Sequence, residues 1–175
     1  ELCINGHDIL VDPGTGVYTG EPKLRNQLRS RAQHSTAGPA EDSRLDSSEP
    51  FNLSGIGSTE IQNASTSSFG ATYTTKNWAL ERTVEIHESN LDIRDTFHGD
   101  TPWQQVFIFH SEVSVSVEES STRTVVKLTW SDYVATMTFG NVECKNTIDQ
   151  ALFSPHYGTL VPTPRLIVEH QSPGS

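Results

Sequence analysis

The chain has 175 residues, enough for one domain with a sizeable core, although only 34% of its residues are hydrophobic. Its 12 basic and 22 acidic residues give a formal charge of −10. This charge argues against nucleic acid or an anionic membrane as a main partner, because phosphate groups would be repelled. No apolar run approaches the roughly 18 residues of a membrane-spanning helix, so membrane insertion is not expected.

Two short apolar stretches open the chain. Leu2–Ile4 and Ile9–Val11 flank the cluster Asn5–Asp8, which is typical of a hairpin turn. Because the sequence starts in what looks like the middle of a strand, we expect a fragment excised from a longer protein.

The two cysteines lie at opposite ends of the sequence. Cys3 and Cys144 are too far apart for a Cys-x-x-Cys metal or redox motif. We expect two reduced, buried thiols, with a disulfide as the alternative if edge strands from both ends of the chain meet.

A carboxylate follows the second apolar stretch, and a histidine follows it 22 residues later. Asp12 precedes Pro13-Gly14, and His34 follows the segment Arg31–Gln33. Asp and His side chains can together hold a divalent metal or orient one another for proton transfer. The alternative for Asp12 is a local role, in which it caps the Pro13-Gly14 turn through the backbone. The functional interpretation requires that the Asp12 carboxylate and the His34 imidazole converge on one point.

A cluster of positive charge lies between these two residues. Four of the twelve basic residues fall within nine positions: Lys23, Arg25, Arg29 and Arg31. Guanidinium groups bind carboxylates and sulfates through two parallel hydrogen bonds, so the cluster is a candidate rim that contacts an anionic substrate. The alternative is a solvated turn that forms ion pairs with Glu21 or Glu41. Residues 21–31 are compatible with a short helical turn that places Leu24 and Leu28 on one face.

Tyr18 comes shortly after the Pro13-Gly14 break. A tyrosine can serve as acid or base in a β-elimination, in which a proton beside a carboxylate is removed. A tyrosine that packs at a turn is the commoner situation, and both possibilities stay open.

The rest of the chain consists of a polar segment followed by alternating strands. Ala37–Ser68 is rich in Gly, Pro, Ser and Asp, and so long a structureless loop is uncommon in a compact domain. Either Phe51–Leu53 and Thr59–Gln62 form short strands, or the remainder of a longer protein orders the segment. Beyond it, apolar and polar residues alternate, as in Val126–Trp130, with short separators such as Ser131-Asp132. The pattern predicts an all-β fold, an antiparallel β-sandwich of roughly 10–13 strands with a long loop in the N-terminal half.

Two stretches resemble motifs at the start of the C-terminal β-sandwich domain of heparinase II/III-like polysaccharide lyases. Leu10–Tyr18 resembles the pattern "LvDpGT.vY", and Ala32–Thr36 resembles the end of "R.t.aHNt". In the second stretch Gln33 intervenes, and Ser35 stands where the family usually has Asn. Shorter matches follow at Arg82–Val84, Leu91–Asp95, Phe107–His110 and Ser154–Gly158.

The resemblance implies that residues 1–175 form a single C-terminal domain and that an N-terminal helical toroid, absent here, precedes it. The parent enzyme would cleave an acidic, uronic-acid polysaccharide by β-elimination. This domain would pack against the toroid, form one wall of the cleft and be silent alone. The resemblance implies that the Asn, Tyr and His of the catalytic centre come mostly from the toroid, and His34 and Tyr18 are the catalytic candidates within this domain. Asp12 and His34 are implied zinc ligands, and their site is expected to be empty or weak here because a histidine upstream of Glu1 completes it. The family also favours a periplasmic or secreted location.

Two alternatives have no lyase chemistry. A non-catalytic carbohydrate-binding sandwich predicts an exposed aromatic platform built from Trp78, Trp103 or Trp130. An interaction module does not require that Asp12 and His34 approach each other.

Overall fold

A computed structural model describes residues 1–40, 57–119, 124–139 and 144–171. In these ranges we find one helix, α1 (Pro22–Leu28), and a 3-10 turn at Arg31–Gln33. The strands are β1 (Leu2–Ile4), β2 (His7–Leu10), β3 (Ala37–Pro39), β4 (Ser58–Ala64), β5 (Ser68–Thr74), β6 (Ala79–Ile86), β7 (Leu91–His98), β8 (Trp103–Ile108), β9 (Ser114–Glu119), β10 (Thr124–Trp130), β11 (Tyr133–Thr138), β12 (Cys144–Phe153) and β13 (Val161–His170). No helix among the described residues is long and apolar enough to cross a membrane.

The prediction of an all-β antiparallel sandwich is confirmed. The chain divides into two compact units, one formed by residues 1–36 and 104–170, the other by residues 37–103 and 171. The prediction that residues 1–175 form a single domain stays a prediction.

The first unit contains three groups of paired strands. β1 pairs with β2, β10 lies between β9 and β11, and β13 lies between β12 and β8. The core of this unit is formed by Val11, Val106, Ile108 and Ala151, with Phe153 packed against them. Because apolar residues alternate along β9 and β10, one face of each strand is buried, as the sequence predicts.

The second unit is an antiparallel meander with the strand order β4-β5-β6-β7. At one end of the sheet, Leu80 and Phe97 lie opposite each other and form a core with Trp78 and Ala37. Strand β4 includes the predicted Thr59–Gln62 segment, which is thereby confirmed as a strand. The other predicted segment, at residues 51–53, lies outside the described residues, as does most of the predicted long loop.

The first hairpin is tighter than the sequence suggests. Its turn consists of Asn5 and Gly6 alone, both with positive φ (52° and 79°), so His7 and Asp8 belong to β2. Asn-Gly is the pair that a two-residue type I′ turn prefers, because both central residues require positive φ. The prediction of a four-residue turn was therefore too long. The two-residue turn Ser131-Asp132 between β10 and β11 is confirmed.

Both cysteines are free thiols. The expectation that both are buried was wrong, because Cys3 is exposed and Cys144 is only half-buried. Cys3 lies between two half-buried neighbours, Leu2 and Ile4. Because successive residues of a strand point to opposite faces, the Cys3 side chain lies on the exposed face of β1.

Candidate functional site

The backbone of the first unit fixes the position of Asp12. On one side of this residue, the Val11 N–H donates to the Ile108 carbonyl at 3.0 Å. On the other side, the Pro13 carbonyl accepts from the Ser154 N–H at 2.8 Å. The Asp12 side chain is 49% exposed. Its Oδ1 accepts a hydrogen bond from the Gly14 N–H at 2.9 Å, so the local capping role proposed from the sequence is present.

The other carboxylate oxygen of Asp12 meets His34. Asp12 Oδ2 lies 3.0 Å from His34 Nδ1, and His34 Nε2 lies 3.1 Å from the Leu28 carbonyl oxygen. Helix α1 and the 3-10 turn after it place His34 here, since the His34 N–H donates to the Arg31 carbonyl. The prediction that the carboxylate and the imidazole converge is confirmed, and the local and the long-range roles of Asp12 coexist.

Both ring nitrogens of His34 face oxygen atoms. A carboxylate and a carbonyl only accept hydrogen bonds, so both contacts are hydrogen bonds only when the imidazole carries two protons. The neutral ring must give up one of the two bonds and thereby gains a lone pair. The His34 side chain as a whole is 36% exposed. An imidazole of this kind can accept and return a proton.

The separation and the donor atoms of Asp12 and His34 also suit two ligands of a metal ion. Two ligands of one tetrahedral zinc ion, each about 2.1 Å from the metal, lie about 3.4 Å apart, close to the separation of Asp12 Oδ2 and His34 Nδ1. The donor set of one carboxylate and one imidazole also suits zinc. Within the described residues, Asp12 and His34 belong to no group of three or more clustered ligands. The pair therefore fits two of the roughly four positions of a structural site.

The four residues of the basic cluster differ in exposure. Lys23 is exposed, and Arg29 and Arg31 are half-buried. Arg25 is only 4% exposed, and its guanidinium donates to the Tyr18 carbonyl at 3.3 Å and to Asn26 Oδ1 at 3.1 Å. In this unit Arg25 therefore ties α1 to the segment before it. The substrate-binding role of the cluster stays a prediction, and so does pairing with residue 41, which lies outside the described residues.

Tyr18 is part of an exposed aromatic pair. Its ring stacks on that of Tyr157, with centroids 5.5 Å apart and planes inclined by 21°. The two residues are 48% and 68% exposed. Tyr157 belongs to the Ser154–Gly158 turn, which approaches the Asp12–Tyr18 segment because the Gly158 N–H donates to the Gly16 carbonyl. No sequence pattern singles out Tyr157, since only the spatial pairing with Tyr18 reveals it.

The three tryptophans do not form an exposed platform. Trp78 and Trp130 are 8% and 5% exposed, and Trp103 is half-buried and stacks on Phe97. The expectation that they present a carbohydrate-binding face was wrong. Large aromatic rings that alternate with polar residues on a strand more often fill the core, as they do here.

Two further polar residues, which the sequence analysis did not select, hold the histidine segment in place. Gln33 Oε1 accepts from the Leu152 N–H at 3.3 Å, and Arg165 donates to the Ala32 carbonyl at 3.0 Å. Ser35, at the position where the related motif usually has Asn, accepts from the Ile108 N–H at 2.9 Å. The His34 segment is thus fastened to strands far away in sequence.

The comparison with protein families decides the relationship. The model of the family described as "Heparinase II/III-like, C-terminal" matches residues 1–173. The chain belongs to this family. Among curated proteins, none matches the chain.

Solved structures share the fold of this heparinase II/III-like domain. Heparan sulfate lyase HepC from Pedobacter heparinus superposes with a TM-score of 0.71 at 16% identity, over 97% of this chain and 27% of that one. The structure named "Heparinase III-BT4657 gene product" gives 0.73 at 15% identity, over 97% and 26%. A structure named "Crystal Structure of Heparinase III" gives 0.64 at 13%, over 96% and 26%. The chain therefore spans about a quarter of the length of these proteins.

Gly14 provides a test of how tightly the Asp12 turn is built. Its φ is +71°, and a Cβ added there would lie 2.5 Å from the Ser154 carbonyl oxygen. We expect Gly14→Ala to lower the free energy of unfolding by about 3 kcal/mol, because backbone strain and a steric clash add. Gly6→Ala is the matched control, with φ +79° and open space around the added Cβ. It should cost about 1 kcal/mol. Equal losses in urea denaturation would show that the approach to Ser154 is unimportant.

Proposed function

We propose that this domain forms one wall of the substrate cleft of a polysaccharide lyase that cleaves an acidic, uronic-acid polysaccharide by β-elimination. The observation that carries the proposal is the contact between Asp12 and His34 in a chain that belongs to the heparinase II/III-like family. The structural relatives include an enzyme named as a heparan sulfate lyase. The fold alone carries no activity, so the proposal depends on what these side chains can do.

The proposed reaction needs a proton acceptor and a proton donor. The proton on the carbon beside the uronate carboxylate is removed, the bond between the adjacent carbon and the glycosidic oxygen breaks, and the leaving oxygen takes a proton. The products are a new reducing end and an unsaturated uronic acid. The imidazole of His34 is the group we assign to proton transfer, with Asp12 fixing its orientation. The exposed hydroxyl-bearing ring of Tyr18 is the second candidate for proton transfer.

The local charge between Asp12 and His34 differs from that of the whole chain and supports an anionic substrate near these two residues. The chain as a whole carries −10, yet Lys23, Arg29 and Arg31 follow one another between the two residues of the site. Exposed Lys23 and half-buried Arg29 are the members best placed to contact carboxylate or sulfate groups, whereas Arg25 is buried and structural. We therefore assign substrate contact to Lys23 and Arg29. Arg31 would contribute less, because two nitrogens of its guanidinium are buried.

As an alternative to the role in proton transfer, Asp12 and His34 would hold a zinc ion in the full-length protein together with ligands from elsewhere in the protein, because a metal-bound imidazole nitrogen cannot exchange a proton. When bound, such an ion would fix the turn and the histidine segment relative to each other. We propose that the fragment alone holds zinc weakly, because two ligands leave half of the coordination sphere to water. The proposed location of the protein is the periplasm or the extracellular space.

We also propose that the domain packs against a helical N-terminal domain. Support comes from the second unit, where the face that forms the core at one end continues into exposed apolar side chains at the other. Ile61, Phe69 and Ile86 are 64%, 42% and 53% exposed on this face. Contiguous exposed apolar residues of this kind usually mark an interface.

The proposal predicts a sharp difference between the fragment and the full-length protein. Residues 1–175 alone should produce no ultraviolet absorbance of unsaturated uronic acid from heparan sulfate, heparin or alginate, because the other proton-transfer groups lie outside them. The full-length protein should produce this absorbance from at least one of the three. A full-length protein that is folded but inactive on a broad panel of uronic-acid polymers would contradict the lyase proposal.

The exposed Tyr18–Tyr157 stack favours a second candidate, a non-catalytic carbohydrate-binding module. Sugar rings stack on exposed aromatic faces, and Tyr157 is the more exposed of the two residues. If the fragment binds an oligosaccharide by itself, Tyr157→Ala should weaken binding by roughly tenfold, equivalent to the loss of one stacking contact. Tyr133→Ala, at a similarly exposed tyrosine of β11, is the matched control and should leave calorimetric titrations unchanged. Flat titrations of the unsubstituted fragment would remove this candidate.

A further inference from the structure

The hairpin formed by β6 and β7 carries three metal-ligating side chains on one face. Glu85 and His87 are two positions apart, and residues two apart on an extended chain point to the same side. Asp92 lies directly opposite Glu85 in the antiparallel register. The strand register alone thus brings two carboxylates and one imidazole together, and these residues lie entirely within the second unit.

The ligand atoms of these residues surround one point. His87 Nε2 lies 3.2 Å from Asp92 Oδ2 and 3.9 Å from Glu85 Oε2. All three ligand atoms fall within 4.8 Å of one another. Ligands bound to zinc at about 2.1 Å in tetrahedral geometry are separated by about 3.4 Å, a value between the two measured distances. Side-chain rotations that bring the two carboxylate oxygens toward this separation would place one ion within reach of all three atoms.

Electrostatics also favours a cation at this position. Glu85 and Asp92 are directly opposed carboxylates, and like charges in such cross-strand pairs destabilise a sheet. A proton on His87 Nε2 points at one carboxylate at a time, whereas a divalent ion bridges both. The Asn90 side chain donates to Asp92 Oδ1 at 3.1 Å, which leaves Asp92 Oδ2 for the ion. The backbone bond from the His87 N–H to the Asn90 carbonyl closes the turn and fixes the position of His87.

We propose that Glu85, His87 and Asp92 form a binding site for a divalent transition-metal ion, with zinc as the first candidate. One nitrogen and two oxygen donors suit zinc, cobalt and nickel better than calcium or magnesium, which prefer oxygen ligands alone. The side chains are 46–66% exposed, so water fills the remaining coordination positions. The ion ties the end of β6 to the start of β7. This site shares no residue with the Asp12–His34 pair and does not depend on the proposed lyase function.

Calorimetric titration of the tag-free chain with zinc tests the proposal. The titration uses the His34→Ala chain, because this substitution disrupts the other pair of candidate ligands. We expect the His34→Ala chain to bind one zinc ion. His87→Ala or Asp92→Asn in this background should weaken binding by roughly a hundredfold, because the first removes one of three protein ligands and the second replaces an anionic ligand with a neutral amide. All three residues are exposed, so these substitutions leave the core intact.

His98→Ala is the matched control, since His98 is an exposed histidine of β7 outside the cluster. It should leave the affinity for zinc unchanged. A cobalt spectrum of the His34→Ala chain, lost with His87→Ala, would identify the imidazole as a ligand. The proposal is overturned if the His34→Ala chain binds no zinc, or if His87→Ala and His98→Ala weaken binding equally.

Discussion

We expect Asp95→Ala to lower the free energy of unfolding by about 3–5 kcal/mol, the largest effect among single polar substitutions in the second unit. The Asp95 side chain is 0% exposed and accepts two hydrogen bonds from the guanidinium of Arg82, at 2.6 Å and 2.7 Å. The two residues face each other on β6 and β7. Removing the carboxylate takes away the group that accepts both of these hydrogen bonds from a guanidinium that is itself only 21% exposed. Urea denaturation of the single variant measures the loss.

Asp149→Ala is the matched control for this prediction. Asp149 also accepts two hydrogen bonds from an arginine directly opposite on the next strand, Arg165, but its side chain is 39% exposed. Because water already screens the exposed part of this carboxylate, and because Arg165, although only 14% exposed, keeps its bond to the Ala32 carbonyl, the expected loss is about 1 kcal/mol. The double variant Arg82→Met, Asp95→Leu should recover most of the stability that Asp95→Ala loses, since apolar residues can replace a buried ion pair. Equal losses for the two single variants would show that burial does not govern these pairs.

The strands could be predicted from the sequence because alternation is a local signal. Val126, Leu128 and Trp130 alternate with polar neighbours, and each is buried in the structure. The pairing of strands could not be predicted in the same way. Arg82 and Asp95 both lie in stretches that resemble the family, yet nothing local to either residue shows that they form a buried ion pair. Register depends on turn lengths and on the whole apolar pattern of a sheet.

The candidate site shows the same division. Asp12 and His34 are 22 residues apart, and the family pattern together with the strand exit was enough to predict that they meet. The buried position of Arg25 was not predicted, because a run of charges carries no information on which members point inward. In α1 the face that contains Leu28 also contains Arg25, so the helix buries a guanidinium beside a leucine. Burial of that cation required a carbonyl from the preceding loop, which only the folded chain supplies.

His34→Ala in the full-length protein should reduce kcat/KM for the uronic-acid polymer by roughly 1000-fold. The imidazole is the group we assign to proton transfer, and alanine can neither accept nor return a proton. Because His34 is 36% exposed and its ring nitrogens contact the half-exposed Asp12 carboxylate and the backbone carbonyl of Leu28, its loss should leave the fold intact, as circular dichroism would verify. Initial rates of unsaturated-uronate formation measure the effect. His98→Ala, at an exposed histidine of the second unit, should leave these rates unchanged.

Asp12→Asn separates positioning from proton transfer. Asparagine keeps an oxygen that can accept from the Gly14 N–H, so the turn should survive, but it cannot stabilise a protonated His34 as a carboxylate does. We expect kcat to fall by roughly 10–100-fold with little change in KM, because we assign substrate contact to the basic cluster and not to Asp12. A rise in KM with unchanged kcat would show that Asp12 acts in substrate binding, and full activity of the His34→Ala protein would place the proton-transfer group outside this domain. The Asp12–His34 contact would then serve only to hold the turn against the histidine segment.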